Sequence, residues 1–394
     1  MHLLSRQRDR CTVATEWSSI PWHAQLLHLG IVTRALVVIG SGSLARAFCY
    51  SLAVSAGAPE VLWLVGRTPS ALAEIAYVST TRASAAGNSL VVNTAPVDTI
   101  IVDAITEVLR REQPAAVLLC ASYQSPWERD SAPSDWTRLI DRAGFGVTLP
   151  LQAAVAIEVA RAVAAACPDA LLINACFPDA VNPLLRGLGL PVDFGIGNVA
   201  LLAASLAAAL GLAGGRQLRV LAHHVHLHAP DDARDEARAW LGDVPVPDVT
   251  ALLAAQRAAS RAELNHVTGL AAARLLTAVL AGERVAASLP GPLGLPGGYP
   301  VVIDRGRVRL ALPPQLPVPA AVSWNEQAAR RDGVLVGAGR ATFAPAAANA
   351  LRPHLPDLAD GFDLDATGAA ADQLLGLRAG LRLSRPPPVV SAHR

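Results

Sequence analysis

Four imidazoles fall within six residues, at His223, His224, His226 and His228. Imidazole gives and retakes a proton near neutrality, so the run is suited to general acid–base work. The segment from Gln217 to His228 reads as a strand, whose alternation would set His224, His226 and His228 on one face and His223 on the other. A His-x-His pair on a strand can also chelate a divalent metal, and Cys176 follows a separate strand candidate ending at Asn174. The plainer reading of each ring is a structural histidine on a half-buried strand.

A second constellation lies near the start of the chain. Ala35-Leu36-Val37-Val38-Ile39 runs into Gly40-Ser41-Gly42-Ser43-Leu44-Ala45 and then an alanine-rich helical stretch. Strand, glycine turn and helix is the order of a dinucleotide-binding unit. Gly40 takes the tight turn, Gly42 lets backbone approach a pyrophosphate, Ala45 keeps the helix near the strand, and phosphate rests on the helix N-terminus. Gly40, Ser41, Gly42, Ser43 and Leu44 are therefore the expected cofactor-binding residues. The next strand candidate, Val61 to Val65, ends in Gly66-Arg67-Thr68, where an acidic side chain would hold a ribose 2′-hydroxyl. Arg67, with Thr68 and Ser70, suits a 2′-phosphate instead, so NADP(H) is expected over NAD(H). The alternative for Arg67 is a solvated arginine in a turn.

The elements that must position these groups follow from the apolar pattern. Strand-like runs at Ala35 to Ile39, Val61 to Val65, Ser89 to Asn93, Ala115 to Cys120 and Ala170 to Asn174 alternate with helical stretches, which implies a parallel sheet with crossover helices. The stretch Leu151 to Ala166 has few polar residues and is expected to be a buried helix on that sheet. Val181 to Leu188 and Asn198 to Leu210 look helical, Thr250 to Leu280 reads as one long helical region, and Val301 to Ile303 pairs with Val308 to Leu312 as a hairpin. The expected fold is α/β: a doubly wound parallel Rossmann sheet followed by a mixed α+β catalytic domain. The expected divisions are an N-terminal arm (1–33), the dinucleotide-binding domain (34–196), the catalytic domain (197–350) and a C-terminal extension with a disordered tail (351–394).

Composition narrows the chemistry further. All 33 basic residues among the 394 are arginine. Without lysine, Tyr-x-x-x-Lys hydride-transfer sites, Schiff-base chemistry and P-loop phosphate binding are excluded. A net charge of +1 with no basic run leaves no footprint for nucleic acid. Hydrophobic residues make up 52%, yet no run has the length and flanks of a membrane span, and no signal-peptide pattern opens the chain. A soluble, cytoplasmic protein is expected, with its five scattered cysteines reduced.

Leu171-Leu172-Ile173-Asn174, Asn182-Pro183, Gly195-Ile196-Gly197-Asn198-Val199 and Val220-Leu221-Ala222-His223-His224 follow one another at distances that resemble the lactate/malate dehydrogenase superfamily. The resemblance runs from about Ala35 to Pro313, and Gly297-Gly298-Tyr299-Pro300 is similar to that family's later glycine turn. It implies an NAD(P)-dependent oxidoreductase in which His224 donates and accepts the proton that accompanies hydride transfer. It further implies that Asn174 faces the substrate or the nicotinamide ribose, that Arg129 polarises a carbonyl from the loop after the fourth strand, and that Thr268 lines the substrate pocket. A homodimer is implied as well. Arg129 read plainly is a surface arginine paired with Glu128 or Asp130. Ser122 is expected to border the cofactor, and Tyr123 and Trp127 offer rings to stack on substrate or nicotinamide. Asn198 reads as a helix N-cap. Asp231 and Asp232 read as the start of a helix, either able to orient a histidine if the chain folds back.

The departures from the family shape the expected substrate. The helix after its glycine turn carries an aspartate that orients the histidine and an arginine that clamps a carboxylate, whereas here it reads Asn198-Val199-Ala200-Leu201-Leu202-Ala203-Ala204. A simple 2-hydroxy acid is therefore not expected, and a larger or less charged alcohol, ketone or imine is. Two alternatives stay open. One is the NAD-dependent glycosidase branch of the superfamily, in which a cysteine and a histidine hold a metal. The other is a dinucleotide-binding sensor or partner subunit without activity.

Overall fold

Leu36–Ile39 (β1) is apolar at every position because both faces of the strand are covered. Val37 and Ile39 pack into one hydrophobic cluster, and Leu36 and Val38 into a second on the opposite side. In the computed structural model, which describes residues 35–98, 102–126, 128–213 and 217–383, β1 lies centrally in a six-stranded parallel sheet. The other strands are Val61–Gly66 (β2), Val91–Pro96 (β3), Ala116–Leu119 (β4), Leu171–Asn174 (β5) and Phe194–Gly195 (β6), in the order β3-β2-β1-β4-β5-β6. The chain reverses its direction of winding between β1 and β4, and a crevice opens there beyond the strand ends. β3 sits at an edge, which is where a strand tolerates Asn93, Thr94 and Pro96. The expected arm (1–33), Trp127 and the proline run at 386–388 lie outside the described residues.

Helices cover both faces. Leu149–Ala166 packs on the Val37/Ile39 side with most of its residues buried. The span Phe145–Ala166 is long and apolar enough to cross a membrane by length and composition, but two thirds of it (67%) is buried inside this fold. On the other side, Ser43–Leu52 lies against Arg261–Leu280. A Cβ on Gly269 would sit 2.5 Å from the backbone of Ala47, so only glycine allows the two helices to cross this closely.

Three small antiparallel sheets follow among the described residues: Leu218–Leu221, Arg238–Leu241 and Val244–Pro245 (β7–β9); Val285–Pro290, Gly298–Asp304 and Arg307–Leu310 (β10–β12); and Val334–Gly337, Arg340–Phe343 and Phe362–Asp363 (β13–β15). The hairpin expected near Val301 and Val308 is β11 with β12. Val334, Ala341, Phe362 and Leu374 join the same hydrophobic cluster as Val37 and Ile39, so the late part of the chain packs back onto the first sheet.

Two expectations fail locally. The strand read over Gln217 to His228 ends at Leu221, and His224–Leu227 forms a 3-10 turn, which removes the two-faced alternation of the histidines. The cause is local. The backbone N–H of Val225 donates to the His223 ring, and that of His223 donates to the His226 ring at 2.8 Å, so side chains take the groups a ladder would use. The single helix read over Thr250 to Leu280 is two, Val249–Ala258 and Arg261–Leu280, parted at Ala259, which is extended (ψ 148°).

Candidate active site

A cavity of about 980 Å³ opens at the crevice between β1 and β4, at the upper end of the range of roughly 300–1,000 Å³ for small-molecule sites. Gly40, Ser41, Gly42, Ser43 and Leu44 form one wall, and Arg67 and Thr68 border it. Gly40 has φ +121°, and a Cβ there would meet the Cys120 carbonyl oxygen at 2.6 Å, so the turn needs glycine both for its conformation and for its contact with the end of β4. Gly42 caps Ser43–Leu52 without a side-chain hydrogen bond, and the helix has no acidic residue in its first turn. Free N–H groups and the positive helix end therefore face the cavity, a cradle for phosphate. Between β2 and the helix that begins at Pro69 stand only Arg67 and Thr68, with no carboxylate to hold a 2′-hydroxyl.

The opposite wall carries His224. Its Nδ1 lies 3.3 Å from Oδ2 of Asp332, the last residue of the helix Val318–Asp332. Its backbone N–H donates to Asp179 Oδ1 at 3.1 Å. The ring is stacked on Phe145 (centroids 4.9 Å apart, 24° between planes) and meets the edge of Phe177 at 5.6 Å. Phe177 holds φ +46° at the head of Pro178–Gly187, an unfavourable conformation for an aromatic residue, in the position that brings its ring to His224. The imidazole side chain is 19% exposed and Asp332 only 5%.

The charges in this corner are coupled. Burial opposes protonation of His224, but Asp332, with Asp179 behind it, outweighs burial and holds the imidazole above its ordinary value. Burial likewise pushes Asp332 up, and the neighbouring His224 more than cancels this, leaving its carboxyl below the usual range. Asp179 is pushed up to about 6, mainly by burial and against the pull of His224. The arrangement is an imidazole with its counter-charge fixed behind it on a wall of the cavity, which is chemically suited to giving and retaking a proton.

The other three histidines differ. His226 accepts the His223 N–H at Nδ1 and donates from Nε2 to the Asp235 carbonyl at 2.9 Å, stacks on Trp324, and is pushed down to about 4 by burial. It is a neutral structural ring with both nitrogens engaged. His223 is fully buried and pushed down to about 3 by burial. His228 borders the cavity, and its Nε2 lies 3.2 Å from Arg261 Nη2. Cys176 also borders the cavity, but burial raises its thiol to about 12, so it stays protonated near neutrality.

Of the site residues selected from sequence, Asn174 is the one that does not line the cavity. It is fully buried, accepts the Cys176 N–H, and donates to the Cys176 carbonyl and to Asn182 Oδ1. It shapes the turn after β5 instead of facing a substrate. Ser122 borders the cavity while its hydroxyl donates to the Gln124 carbonyl, and Tyr123 presents a half-buried ring. Thr268 is buried with its hydroxyl donating to Leu264 O in its own helix. Arg129 reaches the cavity mouth, 67% exposed, and pairs at 3.1 Å with Asp141, not with Glu128 or Asp130. Glu128 is held instead by Arg382 at 2.5 and 2.6 Å, and Arg378 donates to the Tyr123 carbonyl, so the helix Thr367–Leu383 ties down the segment that carries Tyr123 and Arg129.

Three further readings change. Asn198 is the first residue of its helix, and the N-cap position is held by Gly197. Asp232 does start a helix, but only the short 3-10 helix Ala233–Asp235 that it caps, and its carboxylate pairs with Arg234 at 2.6 Å instead of orienting a histidine. The carboxylate that serves His224 is Asp332, for which local sequence gave no signal. Its only mark is its place just before Gly333, at a helix end.

No sequence-family profile and no curated protein sequence matches the chain. Among solved structures it is similar to the malate dehydrogenase from Aeropyrum pernix at 17% identity, covering 75% of this chain and 96% of that one, with a TM-score of 0.48. It is similar to Cryptosporidium parvum malate dehydrogenase at 15% identity over 75% and 95%, with a TM-score of 0.45. A lactate dehydrogenase from Eimeria maxima, with NADH and oxamate, is similar at 13% identity over 74% and 90%, with a TM-score of 0.46. The fold class itself, a six-stranded parallel sheet with flanking helices followed by small antiparallel sheets, is read from the strand order.

Proposed function

We propose that the chain is an NADP(H)-dependent oxidoreductase that moves a hydride between the nicotinamide and a carbonyl or imine carbon. The observation that carries this reading is one cavity bordered on one side by an uncapped glycine-turn helix and on the other by the His224–Asp332 pair. The residues present fit a dinucleotide. The first-turn N–H groups after Gly42 would hold the pyrophosphate, and Arg67 with Thr68 would hold the 2′-phosphate. The bound cofactor supplies the hydride.

The protein supplies the proton and its control. For reduction, protonated His224 gives its proton to the oxygen or nitrogen of the reacting group while Asp332 holds the ring's counter-charge. For oxidation, neutral His224 takes the proton back. Phe145 and Phe177 fix the ring plane and keep water from its faces. Asp332 answers one of the two absences that favour a sensor without activity, since the counter-charge missing from the Asn198–Ala209 helix arrives from another element. The metal-dependent glycosidase reading is less well supported, because both nitrogens of His226 are engaged within the fold and, among the described residues, no group of three or more His, Cys, Asp or Glu side chains is placed to hold a metal.

The test is His224→Asn against a panel of ketones, aldehydes and imines followed by NADPH oxidation. Turnover should fall by about 100-fold or more with the NADPH dissociation constant unchanged. Equal turnover in the variant would remove His224 from the reaction.

A further inference from the structure

Arg261 begins the helix Arg261–Leu280 and lines the same cavity as His224. Its placement is costly in two ways. A guanidinium at the positive end of a helix is repelled by the aligned backbone dipoles, and burial lowers its pKa. A carboxylate would normally offset both. Asp130 favours the charge from a distance, but no described carboxylate forms an ion pair with Arg261, whereas Arg129 nearby has Asp141. The contact made is with a neutral acceptor: Nη2 lies 3.2 Å from Nε2 of His228, whose own pKa is pushed down by burial and by the charge of Arg261. His228 thus aims the guanidinium without neutralising it, and the rest of its fork of N–H donors stays available.

The helix places this charge at a defined end of the cavity. Arg261, Leu264, Asn265 and Thr268 recur at helical spacing and all border the cavity, so one stripe of the helix forms part of its wall. Asn265 donates to Ser43 Oγ in the glycine turn at 3.1 Å, which fixes the stripe against the cofactor wall. Arg261 lies toward the histidines, close enough that its charge works against protonation of His224.

We propose that Arg261 anchors an anionic group of the substrate, a carboxylate or a phosphate, beside His224. The proposal rests on reading this cavity as the active site, and it revises the expectation of a less charged substrate. Asp130 and Glu263, in the first turn of the same helix, bring negative charge to the neighbourhood, and the ion-pair partner that Arg261 lacks among the described residues would come with the ligand, forming charge-assisted hydrogen bonds to a guanidinium already oriented by His228. It would also remove the charge that opposes His224 protonation, so substrate binding itself would ready the proton donor.

The experiment is calorimetric binding of oxalate and of inorganic phosphate to the wild type, Arg261→Gln and Arg261→Lys, each with and without saturating NADPH, alongside NADPH binding to each protein. Oxalate reports a carboxylate site and phosphate a phosphate-ester site. At least one anion should bind the NADPH-loaded wild type. Arg261→Gln should weaken it by about tenfold or more, Arg261→Lys by less, and NADPH binding should not change. Equal anion affinity in wild type and Arg261→Gln, or no binding of either anion to the wild type, overturns the proposal. If anion binding needs Arg261 while NADPH binds none of the three proteins, the hydride-transfer reading falls and the arginine site stands.

Discussion

Replacing Asp332 by asparagine keeps the shape of the side chain and removes its charge, which isolates what the carboxylate does for His224. At the 3.3 Å separation observed, the Coulomb attraction is about 5 kcal/mol for an effective dielectric of about 20. Burial of the ring cancels part of this, and an opposite charge at such range moves a pKa by about 1–3 units. Each unit is about 1.4 kcal/mol, so Asp332→Asn should weaken protonation of His224 by roughly 10- to 1,000-fold. The direct assay is a pH titration followed by NMR on protein labelled with nitrogen-15 in histidine, with His224→Gln assigning the signal. Wild-type His224 should titrate above the ordinary value of about 6.5, and in Asp332→Asn it should titrate about 1–3 units lower. Reduction needs the protonated ring, so its rate holds up to the raised pKa and falls as pH rises through it, and the variant should lose that rate at a lower pH. Titration of His224 at the same pH in both proteins would refute the pairing as the source of its proton affinity.

Three other perturbations follow. Asp179 is raised from 3.8 to about 6 by burial, so the folded state holds its proton longer than the unfolded state, and stability is lost as pH rises from about 4 through about 6. Asp179→Asn should match the wild type in urea unfolding at pH 4 and exceed it by about 1–3 kcal/mol at pH 8; an equal difference at both values would show that the carboxyl does not titrate there. Arg67→Ala should weaken NADPH by about 10- to 100-fold, leaving NADH within about twofold, which equilibrium fluorescence would read; equal losses for both would exclude a 2′-phosphate contact. Gly40→Ala puts a methyl 2.6 Å from the Cys120 carbonyl at φ +121°, and should lower stability by about 2 kcal/mol or more with loss of cofactor binding. An unchanged melting temperature would show that the turn does not need glycine.

The strand, turn and helix at Leu36 to Leu52 were legible because the requirements are local. A strand covered on both faces must be apolar at every position, and the turn must be glycine. The histidine run misled because its alternation was read as pairing, whereas His223 and His226 bind backbone N–H groups within their own turn. The break at Ala259 was readable in principle, since Ser260 followed three residues later by Glu263 has the pattern of a helix start. Asp332 and Arg261 were not readable as partners of the site. The carboxylate is brought to His224 by the packing of the Val318–Asp332 helix against the histidine turn, a matter of tertiary geometry that residue spacing does not encode. The lack of a carboxylate on Asn198–Ala209 was correctly read from the residues, but it did not mean that His224 lacked a counter-charge.

The grip of Arg378 and Arg382 on Tyr123 and Glu128 spans 254 or 255 positions of the chain. Contacts of that separation incur a large loop-closure entropy and tend to form late. During refolding, the parallel sheet can therefore assemble and shelter its apolar strands while the segment from Ser122 to Ser131 still lacks its clasp. Secondary structure would recover first and ligand affinity second, and the interval between them would measure how long the molecule waits for its last helix to dock.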